Sequence, residues 1–249
     1  GPARGRRLPA MLTQREGAAW QSRREGGRIL VMTSIALILL ALFCLLDRYL
    51  RRACVVFIAF ALVMSFAWWR LGAPWLAAAE LLLGALLTGG VLLHALGRAG
   101  DVPRLPQRDA PTRRGAQAPL RWLAALAWLG LTALAMAALF GTERLILAAG
   151  RLPEGGMISL VLSGLLVMAL GLWAFAHYRH LLRRLLAFNV LGSGVFLLLA
   201  GLAGTAPEVQ GLILVGLVVA LVGSVLGVLL LRRLHALEGS VTLESEGGP

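Results

Sequence analysis

The chain contains no lysine: all 24 of its basic residues are arginine, set against 12 acidic residues and four histidines. Charge of any kind is scarce. Only 14% of the 249 residues are charged, whereas soluble domains carry about 25%. With 59% hydrophobic residues and a mean hydropathy of +0.81, there is too little polar surface to face water, which excludes a free soluble domain and leaves lipid as the solvent. Cysteine is limited to Cys44 and Cys54, both in or beside apolar runs. No Cys-x-x-Cys or Cys/His spacing surrounds them, so neither a metal site nor a disulfide framework is expected, and both read as small apolar fillers. The chain also lacks a Walker loop, a dinucleotide glycine fingerprint, a nucleophile elbow and paired haem-ligand histidines in facing spans. No cofactor and no enzyme chemistry of its own are therefore expected. The net charge of +12 could suggest nucleic acid, but the arginines sit in short loops between apolar runs, the placement that sets membrane topology.

The apolar runs themselves define an all-α, polytopic transmembrane bundle of about seven spans. They cover Ile29 to Leu46, Ala53 to Trp69, Trp75 to Leu96, Trp122 to Phe140, Met157 to Phe175, Leu185 to Leu202 and Val209 to Leu231. Loop charge then orients them. One face receives Arg48, Arg51, Arg52, Arg98, Arg104, Arg108, Arg113, Arg114, Arg121, Arg179, Arg183, Arg184, Arg232 and Arg233, which is 14 arginines; the other receives Arg70, Arg144 and Arg151, which is three. The positive-inside rule places the first face in the cytoplasm, with the N-terminus outside and the C-terminus inside. The expected location is a bacterial inner (cytoplasmic) membrane. The seven arginines before Ile29 oppose this orientation. Either translation begins at Met32, or an exposed tail is overruled by the later loops. No small-residue cleavage site follows the first apolar run, which argues against a signal peptide.

The expected organisation is a basic tail over 1–28, disordered or not native, then a three-helix module over 29–97. A cytoplasmic linker comes next over 98–119, with Pro103, Pro106, Pro111 and Pro119. A linking helix lies in 120–150, a second three-helix module in 151–233, and a flexible tail in 234–249.

Ionisable residues inside a membrane are costly, so each is a functional candidate. Glu80, more than one turn inside the third span, is the clearest. Its charged form is disfavoured there, which suits reversible protonation in a relay; the competing reading is a structural carboxyl paired with Arg70 or a neighbouring subunit. His94 lies fourteen residues later. On a regular α-helix that is about 21 Å along the axis and a similar face, a second station for a proton or an interfacial histidine. His177 and His180 have the spacing of one helical face, but without nearby carboxylates they do not suggest zinc. Asn189 must hydrogen-bond and so should face another helix, with Ser193 on the same span. Gly223 and Gly227 form a small-xxx-small pair suited to close helix packing. Asp47, Glu143 and Glu208 read as interfacial.

Two stretches resemble known membrane modules. Ala41 to Gly97 contains LDRYLRRACVVFIAFALVMSFAWWRLGAPWLAAAELLLGALLTGG. Its Asp-Arg loop, its Leu-Gly-Ala-Pro turn and its Ala-Glu before a Gly-rich helix resemble the D subunit of membrane-bound hydrogenases. The C-terminal part of the A subunit of Mrp antiporters carries the same module, which is similar to the J subunit of respiratory complex I. The resemblance implies proton transfer by the acidic residue after the turn, here Glu80. Members of this family often have Asp-Val-Ala-Leu-Thr between Pro and Glu; here Trp75-Leu76-Ala77-Ala78-Ala79 intervenes, without the polar pair. Ser163 to Arg233 resembles the C subunit of Mrp antiporters and the K subunit of complex I. Its carrying segments are Arg179-His180-Leu181-Leu182-Arg183-Arg184, Leu185-Leu186-Ala187-Phe188-Asn189-Val190-Leu191 and Pro207-Glu208-Val209-Gln210-Gly211-Leu212. Asn189 and Gly223 stand where complex I has carboxylates. The helix between the modules fits the position of the hydrogenase E subunit. Together these resemblances imply an accessory subunit of a cation/proton-translocating complex. Its partners would be large antiporter-like membrane subunits and other small membrane subunits, with protons, either alone or in exchange for Na+, as the transported ions and no nucleic acid. A purely structural scaffold and a free-standing small-solute transporter are the rival readings.

Overall fold

The computed structural model describes the backbone of residues 7–96, 117–140 and 155–238. Seven helices account for nearly all of it, and no strand runs among the described residues. They are α1 (Arg7–Leu46), α2 (Leu50–Arg70), α3 (Pro74–Leu96), α4 (Gln117–Phe140), α5 (Gly155–His177), α6 (Leu181–Ala203) and α7 (Pro207–Glu238). Six contain stretches long and apolar enough to cross a membrane: Glu25–Leu46, Leu50–Arg70, Pro74–Leu96, Ser159–His177, Leu181–Ala203 and Pro207–Leu234. The fourth expected span coincides with α4, whose apolar stretch Trp122–Ala135 is shorter. The chain is thus an all-α membrane bundle of six to seven spans. Residues 7–28, expected as a loose tail, form the first turns of α1. The linker expected over 98–119 lies mostly outside the described residues, as do Glu143, Arg144 and Arg151.

Short turns with specific backbone chemistry join α1 to α2, α2 to α3 and α6 to α7. Asp47 Oδ1 accepts the Tyr49 N–H at 2.9 Å and closes the α1–α2 turn. The α2–α3 turn is Leu-Gly-Ala-Pro. Gly72 adopts φ +76°, where a side chain would be strained. The Gly72 N–H bonds the Trp69 carbonyl at 3.1 Å and the Ala73 N–H bonds the Trp68 carbonyl at 3.0 Å, the paired bonds of a Schellman motif. Pro74 then opens α3 at its first position, where a missing N–H costs nothing. Gly204, at φ +75°, ends α6, and Pro207 with Glu208 starts α7, the carboxylate lying at the positive end of the helix dipole.

In lipid the hydrophobic effect does not drive helix against helix, so close backbone approach and interhelical hydrogen bonds must do so. The α5–α6 contact shows the first device. A Cβ on Gly164 would stand 2.7 Å from the Leu198 backbone N, one on Gly171 would stand 2.8 Å from the Leu191 Cα, and one on Gly194 would stand 2.8 Å from the Gly164 carbonyl O. The second device recurs through the bundle. Ser65 donates to the Ala77 carbonyl at 2.7 Å, joining α2 to α3. Trp128 Nε1 donates to the Ala169 carbonyl at 3.0 Å, joining α4 to α5. Asn189 Nδ2 donates to Ser224 Oγ at 2.8 Å, joining α6 to α7. α1 packs on α2 and α5, while α3 lies between α2 and α7, so each half of the chain touches the other.

Candidate functional site

The Schellman turn after α2 fixes the start of α3 against the end of α2, and this brings Trp68 and Glu80 together. Glu80 is 2% exposed and Trp68 is fully buried. The Trp68 indole Nε1–H donates to Glu80 Oε2 at 3.4 Å, at the long end of the hydrogen-bond range. It is the carboxyl's one hydrogen-bond partner among the described residues. Space for the carboxyl comes from Gly84. A Cβ there would stand 2.6 Å from Glu80 Oε1 and 3.6 Å from Ala61 Cβ of α2. The pocket is therefore made of an aromatic donor, a missing side chain and a small neighbour, with no cation in it.

Arg70, the expected structural partner of Glu80, is exposed and reaches toward Gly26 of α1 instead. No ion pair with a described residue fixes the carboxyl. Glu80 is a buried acid held by one long hydrogen bond from a neutral donor.

The helix itself changes at this residue. From Glu80 to Thr88 α3 is a π-helix, with i→i+5 hydrogen bonds, flanked by α-helix at Pro74–Ala79 and Gly89–Leu96. Thr88 Oγ1 donates to the Leu83 carbonyl at 2.7 Å, five residues back, in keeping with the wider turn. Such stretches are rare and occur often at functional sites. No sequence feature announced it. Wider turns also rotate the residues beyond them, so the expectation that Glu80 and His94 share a face, which assumed a regular α-helix, does not hold: Glu80 is buried and His94 is exposed. At Gly89 a Cβ would overlap Ile58, so α2 and α3 stay close below the site.

The remaining candidates lie elsewhere. Asn189 and Ser224 exchange hydrogen bonds across the α6–α7 contact, and Ser193 donates to the Asn189 carbonyl at 3.1 Å. These bonds tie helices and leave no side chain aimed at Glu80. Gly227 packs on Leu185, whose Cδ1 would be 3.0 Å from an added Cβ. Gly223, expected beside it in the same contact, faces open space within the chain, because one face of α7 is turned outward. His177 and His180 do not share a helix face. His177 ends α5, exposed and stacked on Trp173 at 5.0 Å, while His180 is buried in the extended residue before α6. No group of His, Cys, Asp or Glu among the described residues is arranged to hold a metal ion.

One buried charge is not evident from the sequence. Arg183 is 1% exposed. Its guanidinium donates to the Leu45 carbonyl at 2.8 Å and to the Asp47 carbonyl, at the end of α1. It also lies 4.8 Å from the centroid of the Tyr178 ring, whose hydroxyl donates to the same Leu45 carbonyl at 2.6 Å. A cation set on the negative end of a helix is stabilised by its dipole and satisfies carbonyls that the helix leaves free.

No curated protein matches the chain, and no solved structure matches it. Residues 35–101, which contain the α2–α3 turn, Trp68, Glu80 and Gly84, match the family model for MbhD, the D subunit of MBH, so this segment is similar to that component of the membrane-bound hydrogenase.

Proposed function

We propose that the chain is an accessory membrane subunit of a larger cation/proton-translocating complex of the Mrp or membrane-bound hydrogenase kind, and that Glu80 carries protons within it. The observation behind this reading is the buried Glu80 carboxyl inside the segment similar to MbhD, bonded by a neutral indole rather than by a cation. A carboxyl paired with arginine would stay ionised, whereas one beside a neutral donor can gain and lose a proton. In this reading Glu80 passes protons toward a neighbouring antiporter-like subunit that holds the main charged axis. In this reading the N-terminus faces outward and the arginine-rich loops face the cytoplasm, as the positive-inside rule requires.

The test is Glu80→Gln in the intact complex. The substitution keeps shape and removes the titrating group. Assembly, judged by recovery of the full set of subunits, should be unchanged, while proton-coupled transport falls by about 100-fold or more, the range in which a positioned proton-transfer group acts. Normal transport with normal assembly would favour the scaffold reading, for which the small number of polar groups near Glu80 speaks.

A further inference from the structure

Where α1 ends and α2 begins, the surface opens into a cleft of about 300 Å³ that also touches α4. We infer that this cleft is a binding site for an anionic phospholipid, its phosphodiester held by Arg48 and Arg52 and an acyl chain lying along Phe43 and Trp122. The inference is independent of the role proposed for Glu80.

The charged end comes first. Arg48 and Arg52 line the cleft and are exposed, and no described carboxylate pairs with either. Arg52 is not loose: its guanidinium lies 5.1 Å from the centroid of the Tyr49 ring, a cation–π contact that orients the group while leaving its N–H donors for an anion. Guanidinium groups match phosphate oxygens in geometry. Asp47 also lines the cleft, and its Oδ1 is occupied by the Tyr49 N–H at 2.9 Å. Two arginines and one aspartate leave a single net positive charge, which suits a singly charged phosphodiester.

The apolar end explains why the ligand is a lipid. Phe43 and Trp122 meet edge to face with centroids 5.7 Å apart. Phe43 is 54% exposed, and on the same side of α1 one turn earlier Leu39 is 48% exposed. The aromatic wall therefore runs from the cleft onto the lipid-facing surface of a membrane span. A phosphate site at the headgroup level joined to an apolar track at the chain level fits an amphiphile. Free phosphate would use only half of it. Arg48 and Arg52 also sit on the arginine-rich side, where anionic leaflet lipids concentrate by charge.

The full chain, reconstituted in nanodiscs of equal phosphatidylglycerol and phosphatidylcholine and then released into mild detergent, allows retained lipid to be read by native mass spectrometry. The native chain should keep phosphatidylglycerol in preference to phosphatidylcholine. Arg48→Gln with Arg52→Gln should lower that retention roughly tenfold or more. Arg52→Lys should keep most of it, and Arg232→Gln with Arg233→Gln, distant from the cleft in sequence, should keep all of it. If the double cleft variant does not fold, Trp122→Ala carries the test, and it too should lose the retained lipid. Equal retention in the native chain and the folded cleft variants would overturn the inference. Thermal stabilisation of the lipid-free chain by inorganic phosphate, with no further gain from phosphatidylglycerol, would also overturn it, by identifying a free-anion site.

Discussion

At the scale of the residue, two buried charged groups are handled in opposite ways. Glu80 has a neutral, weak partner, and Arg183 has two carbonyls and an aromatic face. The first arrangement is the one on which the proposed proton transfer rests; the second holds a cation at the end of a helix. Arg183 ties the turn between α5 and α6 to the end of α1, so its loss should loosen the halves of the bundle. Arg183→Gln should lower stability by about 2–4 kcal/mol, because the Leu45 and Asp47 carbonyls lose a charged donor inside the protein. Thermal unfolding in detergent would show it, and an unchanged midpoint would mean that these carbonyls find other donors. Glu80 was legible in the sequence because a single acid in an apolar run has no alternative reading as a loop charge. Arg183 was not, because it stands next to Arg184 and two residues after Leu181 in what reads as one more basic turn. Its burial depends on the end of α1, 136 residues away along the chain.

At the scale of the element, the helices were legible and their contacts only in part. Spans of apolar residues bounded by arginine, glycine or proline predicted the helices, and Leu-Gly-Ala-Pro is legible as a turn because only glycine takes φ +76° without strain. The π-helical stretch was not legible, since no residue type over Glu80–Thr88 marks a wider turn. Nor did glycine spacing identify the packing faces. Gly223 and Gly227 looked like a pair, yet it is at Gly164, Gly171 and Gly194 that an added Cβ would meet the backbone of a neighbouring helix within 3 Å. Gly194→Ala should therefore destabilise the bundle by about 1–3 kcal/mol, since its Cβ would meet backbone atoms that cannot rotate away. Gly192→Ala, where the added Cβ meets nothing within 4 Å, should be neutral or slightly stabilising through helix propensity. Detergent unfolding midpoints of the two variants check this, and equal effects would show that α5 and α6 are not in close contact.

At the scale of the whole molecule, α3 lies between α2 of its own half and α7 of the other, so the buried carboxyl belongs to the assembled bundle rather than to one module. The similarity to MbhD covers residues 35–101 and so reaches the carboxyl but not α7. The orientation proposed from loop charge has a direct check. In a chain with Cys44 and Cys54 replaced by alanine, a cysteine at exposed Trp75 should react with an impermeant maleimide in intact cells, and one at exposed Arg51 should react only after the membrane is opened. The reverse pattern would place the arginine-rich loops outside, against the charge bias. Membership of a larger complex is tested most directly by purifying the chain from its native membrane in mild detergent and identifying what comes with it by mass spectrometry. Large antiporter-like membrane subunits should be recovered in fixed proportion to the chain. Recovery of the chain alone or as a homo-oligomer, under conditions that keep other membrane complexes whole, would contradict that membership.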